Sequence, residues 1–540
     1  MDKPQISGPR VCSRRELERS NSSMWLEAFG RLTRWISARP GLIRLGAPSV
    51  LLAVLLTPSI WMLSVIPPLW RDIDAYVQVT QPPGPGTILH YGPLYCFVAR
   101  IPLYLGYAID CIARAAPLPT PSFFLHPTLS DWGVFTVILL QHLSLCFATF
   151  WLIAETTRLF WIRLLLAAAW AANPLFYTFA HCIGTETLSL ILVLLIGTIG
   201  LRIIRYSRSV PRKEWLLFGV LLWLCILTRH INAALAGLLP LTFLLLSAYR
   251  LMMMRFARFQ LLRLCQGIRG KQALQKAGFA VAVGISCIVL TNASLRWLCY
   301  TTKTHYHSTV GFTFLFRLKF LAGLPVETRN QLLDKVSQNT DSADVKRVVS
   351  LLRDSFGDDN PIWDVAAFKK KAQESLFSSQ TDTSENRLYI VLNSTARTFL
   401  YPPEKIFLSA VASDFKKSQR VTIPSVVRQL FVATAFYFSH PGIMPDCASL
   451  YTFRDKSSVQ TMAIFKHSYF QHSKNFSFGA LLFLWCVTLA LLGVVAKVRK
   501  KDIAAVSSYA AALTLVGLFM MLANCFQLCF SLALLFRCGS

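Results

Sequence analysis

Two aspartates follow the first long apolar run of this 540-residue chain, and their spacing could serve chemistry. The run covers residues 47–67, and Asp72 and Asp74 come soon after it with one residue between them. A carboxylate near membrane depth has a raised pKa unless a cation or metal compensates it, and such a group suits proton abstraction or metal coordination. A solvated loop or a helix cap explains the same short pattern about equally well.

A glutamate and an arginine lie at the edges of two other apolar runs. Glu186 comes at the start of the run 184–201, and Arg229 with His230 ends the run 215–230. An ionisable residue at the edge of an apolar helix is costly and is a functional candidate, and the planar guanidinium of arginine suits a phosphate. Helix capping by Glu186 and a snorkelling Arg229 are the structural alternatives, and both stay open.

Histidines, a tyrosine and an arginine in two further segments are candidate substrate ligands. His90, Tyr91 and Arg100 follow the acid pair, whereas His305 and His307 follow a later apolar run. Basic and aromatic side chains at a membrane surface can hold a lipid phosphate. They also form the ordinary interfacial belt of membrane proteins, which we slightly prefer for His305 and His307.

The composition indicates which elements must position these residues. Hydrophobic residues make up 54% of the chain and charged residues only 15%, against roughly 25% charged in a soluble domain. An ordinary soluble enzyme, a disordered tail and a coiled coil are therefore excluded. Nine apolar runs are long enough for membrane-spanning helices: 47–67, 132–154, 161–180, 184–201, 215–230, 232–249, 277–298, 477–496 and 503–523. We predict an all-α polytopic bundle of about 9–11 spans.

The net charge of +28 orients this bundle. Five basic clusters hold 27 of the 55 Lys and Arg residues, and an even number of predicted spans separates each cluster from the next. All five therefore fall on one face, which the positive-inside rule identifies as cytoplasmic. The clusters are 1–44, Arg158 with Arg163, Arg202–Lys213, Arg250–Lys276 and Lys497–Lys501. The excess of basic residues is explained by the orientation of the chain in the membrane. It therefore does not indicate a nucleic-acid partner, which we disfavour.

The same topology divides the chain into four predicted parts. They are a basic cytoplasmic leader at 1–44, a transmembrane catalytic core at 45–298 with a first outer loop at 68–131, one large, mainly helical extracytoplasmic segment at 299–476, and C-terminal transmembrane helices at 477–540. The acid pair, Glu186, Arg229 and a basic lip come from distant parts of the sequence. The lip consists of Lys303, His305, His307, Arg317 and Lys319. The predicted topology brings all of them to the outer face.

These motifs, taken in order, resemble the GT-C superfamily of polytopic membrane glycosyltransferases, which includes protein O-mannosyltransferases and lipid A aminoarabinose transferases. The resemblance covers about residues 45–300, and segment 299–476 matches no domain of that superfamily. Four motifs carry it: the acidic loop Asp72-Ile73-Asp74-Ala75-Tyr76, the aromatic-proline stretch His90-Tyr91-Gly92-Pro93-Leu94-Tyr95 that opens the next helix, the helix start Thr185-Glu186-Thr187-Leu188 and the helix end Thr228-Arg229.

The resemblance implies transfer of a sugar, with inversion, from a polyprenyl-phosphate donor to a lipid, glycan or protein acceptor on the extracytoplasmic face. It implies Asp74 as the base, with Asp72 as a helper or, with Asp74, as a ligand of a possible divalent metal; no other cofactor is expected. Arg229 and the basic lip would stabilise phosphate charge. The expected location is the bacterial inner membrane, with the endoplasmic reticulum second.

Two other classes of protein share this general pattern. A transporter or flippase of lipid-linked sugars also has polar residues among its spans, although such proteins usually carry internal repeats and polar groups near the membrane midplane. A non-catalytic membrane subunit would leave the acid pair exposed, with no pocket nearby. The position of Asp72 and Asp74 relative to the membrane discriminates between these classes.

Overall fold

The protein is an all-α membrane protein in the computed structural model. The structure describes residues 40–65, 69–70, 78–82, 88–89, 92–157, 159–172, 174–205, 210–256, 260–303, 306, 310–356, 363–377, 382–419 and 503–525. Within these ranges, six helices are long and apolar enough to cross a membrane. Several predicted features fall outside the described residues: Asp72, Asp74, His90, Tyr91, His305, His307, most of the basic leader 1–44, the apolar run 477–496 and the basic cluster Lys497–Lys501.

Nine described helices and one pair of short strands build the first half of the chain. The elements are α1 (Pro40–Val65), β1 (Leu69–Trp70), α2 (Leu94–Ala113), α3 (Asp131–Thr156), α4 (Phe160–Ala171), α5 (Pro174–Ala180), β2 (Cys182–Ile183), α6 (Thr185–Arg205), α7 (Arg212–Thr228), α8 (Leu238–Phe256) and α9 (Gln260–Thr301). A 3-10 segment, His230–Gly237, joins α7 to α8. The candidate spans lie in α1, α2, α3, α6, α9 and the combined stretch His230–Met252.

Contacts between side chains define two ends of this bundle. Arg229 pairs with Glu186 where α7 ends and α6 begins, and we call this the site end. At the opposite end, Arg202 of α6 pairs with Glu214 of α7, while Arg205 pairs with Glu155 of α3. We call this the basic end, because it gathers the described residues of two predicted basic clusters.

The predicted outer loop 68–131 contains a helix that the apolar windows missed. In α2, Tyr95 contacts Gln141 of α3, and Gly106 approaches Gly133 near the start of α3. Helix α2 is therefore antiparallel to α3 and begins at the level of Gln141, inside the bundle. Three residues, Arg100, Pro102 and Asp110, interrupt its apolar sequence, but its length and hydropathy are still those of a candidate span.

The predicted span 161–180 is interrupted. Helix α4 ends at Ala171, and α5 begins at Pro174. Proline has no amide hydrogen to donate, and its ring clashes with the preceding turn of a continuous helix. The prediction of a single helix from 161 to 180 is therefore wrong. The two short helices together return the chain from the basic end to the site end.

Small residues let the bundle helices approach one another closely. A side chain at Gly106 would clash with the carbonyl oxygen of Trp132, so α2 and α3 touch through their backbones at this point. Gly200 of α6 likewise lies under the ring of Tyr509, whose hydroxyl donates to the carbonyl of Gly197 at 3.2 Å. Close approach at small residues is a usual source of helix association in membranes.

The described part of segment 299–476 is a helical unit with its own apolar core. Its core includes Phe314, Leu333, Val348 and Phe407. The backbone amide of Gly311 donates to Asn393 at 2.6 Å. Its helices are α10 (Val310–Arg317), α11 (Val326–Gln338), α12 (Ala343–Ser355), α13 (Val365–Leu376), α14 (Asp382–Leu400) and α15 (Lys405–Gln419), and α15 contacts the last described helix, α16 (Ile503–Cys525).

Candidate functional site

Two short strands connect the entry of the predicted acidic loop to the start of α6. Leu69 pairs with Cys182 and Trp70 with Ile183, in parallel. Asp72 follows Trp70 by two positions, and Glu186 follows Ile183 by three. The residues immediately before the acid pair and those immediately before Glu186 are therefore neighbours at the site end, although more than a hundred positions separate them in the sequence.

Glu186 and Arg229 form an ion pair at the same end. The Nη1 atom of Arg229 donates to Oε1 of Glu186 at 2.8 Å. Glu186 lies in the first turn of α6, where the helix dipole favours an anion, and Arg229 caps the end of α7 with an extended backbone. The sequence predicted the two residues on one face, and the structure brings them into contact.

The exposure of the two side chains indicates what the pair can do. The Glu186 side chain is 17% exposed and that of Arg229 is 41% exposed. A guanidinium carries five N–H donors, and the contact with Glu186 involves only one of its terminal nitrogens. The carboxylate can therefore orient the guanidinium while other donors face an incoming anion, for which two parallel hydrogen bonds are the favoured geometry.

The backbone at Gly92 lies directly against the end of α7. Its φ angle is +99°, and a side chain there would meet the carbonyl oxygens of Leu227 and Thr228 at 2.5 and 2.7 Å. Only glycine tolerates both this conformation and this contact. Gly92 comes next after Tyr91, so the predicted stretch at His90 and Tyr91 ends beside the residue that precedes Arg229.

An apolar cluster extends the site end toward α9. Its buried members are Ile88, Leu89, Leu227, Leu295 and Cys299, and Tyr306 packs against them. The Tyr306 hydroxyl donates to Asn292 at 3.1 Å, and its ring lies 5.3 Å from the guanidinium carbon of Arg296. Burial raises the pKa of the Tyr306 phenol, with a smaller opposing effect from Arg296. Tyr306 is the neighbour of His305 and His307 in sequence, and both histidines lie outside the described residues.

Two predicted ligands occupy buried positions. Arg100 is 1% exposed, and its guanidinium donates to the carbonyls of Val79, Gln78, Gln81 and Phe124. Those contacts fasten the chain segments on both sides of α2, and they favour a structural role for Arg100 over ligand binding. His230 is 8% exposed and begins the 3-10 segment after Arg229.

A buried polar layer beside the site was not predicted. Gln141 of α3 donates to the carbonyls of Ala180 and Cys182, at 3.0 Å each, and accepts from the Tyr95 hydroxyl at 3.0 Å. The Tyr95 oxygen in turn accepts from the amide of Gly184 at 2.9 Å. A signal existed, because Gln141 and His142 are adjacent polar residues inside the long apolar run 132–154.

His142 extends this layer to α1 and to the turn before β2. Its Nδ1 lies 2.9 Å from the hydroxyl of Ser59, and its Nε2 lies 3.2 Å from Nδ1 of His181. Ser59, His142 and His181 are each at least 98% buried. In an apolar environment such groups are costly unless they are hydrogen-bonded to one another, as these are.

The predicted metal has no support beyond the acid pair itself. Among the described residues, no three His, Cys, Asp or Glu side chains cluster so that they could hold an ion. Asp72 and Asp74 lie outside those residues, so a divalent ion bound by them stays a prediction, and the chemistry below does not depend on it.

Comparisons of the whole chain with known protein families, with curated proteins and with solved structures find no match. The resemblance to the GT-C superfamily therefore depends on short motifs alone. The geometry of the site end is what any functional conclusion must use: an exposed arginine held by a glutamate, beside the entry to an acidic loop, on an apolar bundle.

Proposed function

We propose that this chain is a membrane glycosyltransferase of GT-C type, which moves a sugar from a polyprenyl-phosphate donor to an acceptor hydroxyl at the site end, with inversion. The single observation that carries the proposal is that the described neighbours of all the motifs lie together at the site end. The Glu186–Arg229 pair, strand β1 before Asp72, Gly92 after Tyr91, and Tyr306 between the two histidines all belong to it. Motifs without a common role have no reason to converge.

The proposed reaction breaks one bond and forms another. The bond between the anomeric carbon and the donor phosphate oxygen breaks, and its electron pair leaves with polyprenyl phosphate. The acceptor oxygen forms the new glycosidic bond from the opposite side, and its proton passes to the carboxylate of Asp74. Positive charge develops at the anomeric carbon, as in glycoside hydrolysis. Asp72 assists, either by orienting the acceptor or by making Asp74 more basic through like-charge repulsion.

Arg229 supplies the cation that the leaving phosphate needs. Negative charge grows on the phosphate oxygens as the bond breaks, and a preoriented donor stabilises this charge more in the transition state than in the ground state. Glu186 fixes the guanidinium at 2.8 Å, so little reorganisation is required. The basic residues His305 and His307 add to this field, and the apolar flank of the bundle accepts the polyprenyl tail.

The two ends of the bundle are consistent with an extracytoplasmic site and a cytoplasmic basic end. Arg202 and Arg205 lie at the end opposite to the site, as cytoplasmic basic residues do under the positive-inside rule. The proposed amino terminus is then cytoplasmic and the proposed site extracytoplasmic, in a bacterial inner membrane. Membrane lipids surround the bundle, and the acceptor is a lipid, a glycan or a protein.

A transporter or flippase of lipid-linked sugars is the second candidate, and one observation favours it. His142, His181 and Ser59 form a buried hydrogen-bonded group within the bundle. With a rise of about 1.5 Å per residue, His142 is roughly 20 Å along α3 from Glu155 at the basic end, inside an apolar layer of about 30 Å. Ionisable residues at such depth commonly mark transport paths.

Transfer by the reconstituted full-length chain tests the proposal. The wild type and Asp74→Asn are placed in nanodiscs and given polyprenyl-phosphate sugars labelled on the sugar, with lipid and peptide acceptors. We expect label to move to an acceptor in the wild type. Asp74→Asn should lower kcat at least about 100-fold, because the general base is lost while the fold is kept.

Three results would each contradict one part of the proposal: the base, the transfer or the inversion. Full activity in Asp74→Asn removes the base from the mechanism. Label that crosses the bilayer of a liposome, still attached to its polyprenyl phosphate, supports the flippase instead. Product that retains the anomeric configuration of the donor contradicts the single displacement. Asp72→Asn, measured in parallel, shows which of the two carboxylates carries the proton.

A further inference from the structure

The backbone between α5 and α6 makes an abrupt turn inside the bundle. Residues 181–184 reverse the chain and contain β2, and they are buried. Buried backbone groups away from water must find partners within the protein. Helical hydrogen bonds cannot satisfy all the groups at such a turn, so side chains from other elements must supply the missing partners.

Helices α2 and α3 provide those partners through two side chains. Gln141 satisfies the carbonyls before and within β2, those of Ala180 and Cys182. Tyr95 satisfies the amide of Gly184 and is itself oriented by Gln141. The two side chains thus hold both sides of β2, and Gly184 lies two positions before Glu186.

The next residue of α3 fastens the same turn from another direction. His142 contacts His181, just before β2, and Ser59 of α1. Consecutive helix residues point about 100° apart, so Gln141 and His142 reach the turn from two sides. The buried polar layer therefore links α1, α2 and α3 to the segment that carries β2 and leads to Glu186.

We propose that Gln141 and Tyr95 are positioning residues of the transferase site: by fixing β2, they set the place of β1, two residues before Asp72 in sequence, relative to the Glu186–Arg229 pair. This inference rests on the proposed function for its catalytic part. Neither residue reaches a reacting atom in this role. Each acts through the backbone of 180–184, and β1 follows because Leu69 and Trp70 are paired with Cys182 and Ile183.

Gln141→Met and Tyr95→Phe test the proposal, because each keeps the volume and removes the hydrogen bonds. We expect a roughly tenfold lower kcat per folded molecule with little change in the donor KM. Misplaced catalytic groups reduce the rate of the chemical step more than they reduce binding of a large amphiphilic donor. Gln141→Glu separates geometry from polarity: it is polar and of equal length, but its carboxylate cannot donate to the two carbonyls, so it should not rescue kcat.

Thr149→Val is the matched control. Thr149 lies on α3, is 1% exposed, and its hydroxyl has no hydrogen-bond partner among the described residues. The substitution therefore changes a buried polar residue of the same helix without touching the turn. It should leave kcat unchanged. If Thr149→Val lowered kcat as much as Gln141→Met does, the loss would reflect general damage to α3, and the positioning role would be overturned.

Disulfide formation between the strands provides a readout that needs no activity. Leu69→Cys places a thiol opposite the native Cys182, and neighbouring strands about 4.8 Å apart lie within disulfide reach. Mild oxidation followed by mass spectrometry of the linked peptides measures the crosslinking rate, with Leu69→Cys/Cys182→Ser as the negative control. We expect Gln141→Met and Tyr95→Phe to slow this reaction at least severalfold, and Thr149→Val to leave it unchanged.

The two readouts separate failure of this inference from failure of the proposed function. If the wild type transfers no sugar while crosslinking is still slowed by Gln141→Met, the transferase assignment fails and the fixing of β2 by Gln141 stands. If the wild type transfers sugar while Gln141→Met and Tyr95→Phe retain both the wild-type kcat and the wild-type crosslinking rate, the positioning role is overturned.

Discussion

The two ends of the bundle use the same ion-pair chemistry for different purposes. At the basic end, Arg202 and Glu214 pair at 2.6 Å, with the Glu214 side chain only 3% exposed. At the site end, Glu186 and Arg229 pair at 2.8 Å. The arginine is the more exposed partner in both pairs, at 41% for Arg229 and 30% for Arg202. The basic-end pair joins α6 to α7. The site-end pair also joins them. Each contact uses one terminal nitrogen of its arginine, and Arg229 is the more exposed of the two arginines.

The surroundings differ more than the pairs do. Among the described residues, the site end has the paired strands, the glycine contact at Gly92 and the polar layer around Gln141. The basic end has ion pairs and contacts of arginine with backbone carbonyls, such as Arg163 with Ala154 and Thr157. An ion pair by itself is therefore weak evidence of function. The residues around it indicate whether its role is structural or functional.

Exchanging the two partners at the site end tests whether that pair does more than join α6 to α7. Glu186→Arg combined with Arg229→Glu keeps a pair between α6 and α7 but moves the cation. We expect at least about a 100-fold loss of kcat/KM for transfer, because the phosphate then meets a carboxylate and not a preoriented donor. The thermal midpoint should recover most of what either single substitution loses, since the double variant can still form an ion pair.

That double variant separates two roles of the pair. Recovery of both stability and transfer would mean that only the link between α6 and α7 matters, and Arg229 would lose its role at the phosphate. Recovery of neither would mean that the geometry depends on the native identities, as a capping role of Glu186 also requires.

The basic end should respond with stability alone. Glu214→Gln leaves Arg202 without its buried carboxylate, and removing one partner of a buried pair destabilises the fold. We expect the thermal midpoint to fall by a few degrees while kcat per folded molecule stays unchanged. The measurement is thermal unfolding followed by assay of the folded fraction. A changed kcat would show that the two ends are coupled through α6 or α7.

Part of this arrangement was predictable from the sequence, for a physical reason. Spanning helices need long apolar runs, and the runs around 47–67, 132–154, 184–201, 232–249 and 277–298 each correspond to a candidate span. The common face of Glu186 and Arg229 followed from counting all the predicted spans, including 161–180 and 215–230. The contact between them did not, because counting spans gives a membrane face and not a position within it.

Other features could not be predicted, because they depend on hydrogen bonds to backbone groups that are distant in the sequence. Strands of two residues, such as Leu69–Trp70, are too short to show any periodicity. The break before Pro174 could have been predicted from the proline itself. Helix α2 could have been predicted from its hydropathy, but the carbonyls of other segments that accept from its Arg100 could not. Gln141 was visible as a polar residue in an apolar run, but its partners at Ala180 and Cys182 were not.

One measurement tests the central claim most directly: the rate of sugar transfer by Arg229→Ala beside that of Arg205→Ala, in nanodiscs with the same labelled polyprenyl-phosphate sugar. Both substitutions remove a partly exposed arginine from an ion pair with a glutamate, one at each end. We predict that Arg229→Ala lowers kcat/KM by about 100-fold and that Arg205→Ala leaves it within about twofold per folded molecule, since surface pairs contribute little. Equal rates for the two variants would contradict the claim that the site end performs the chemistry.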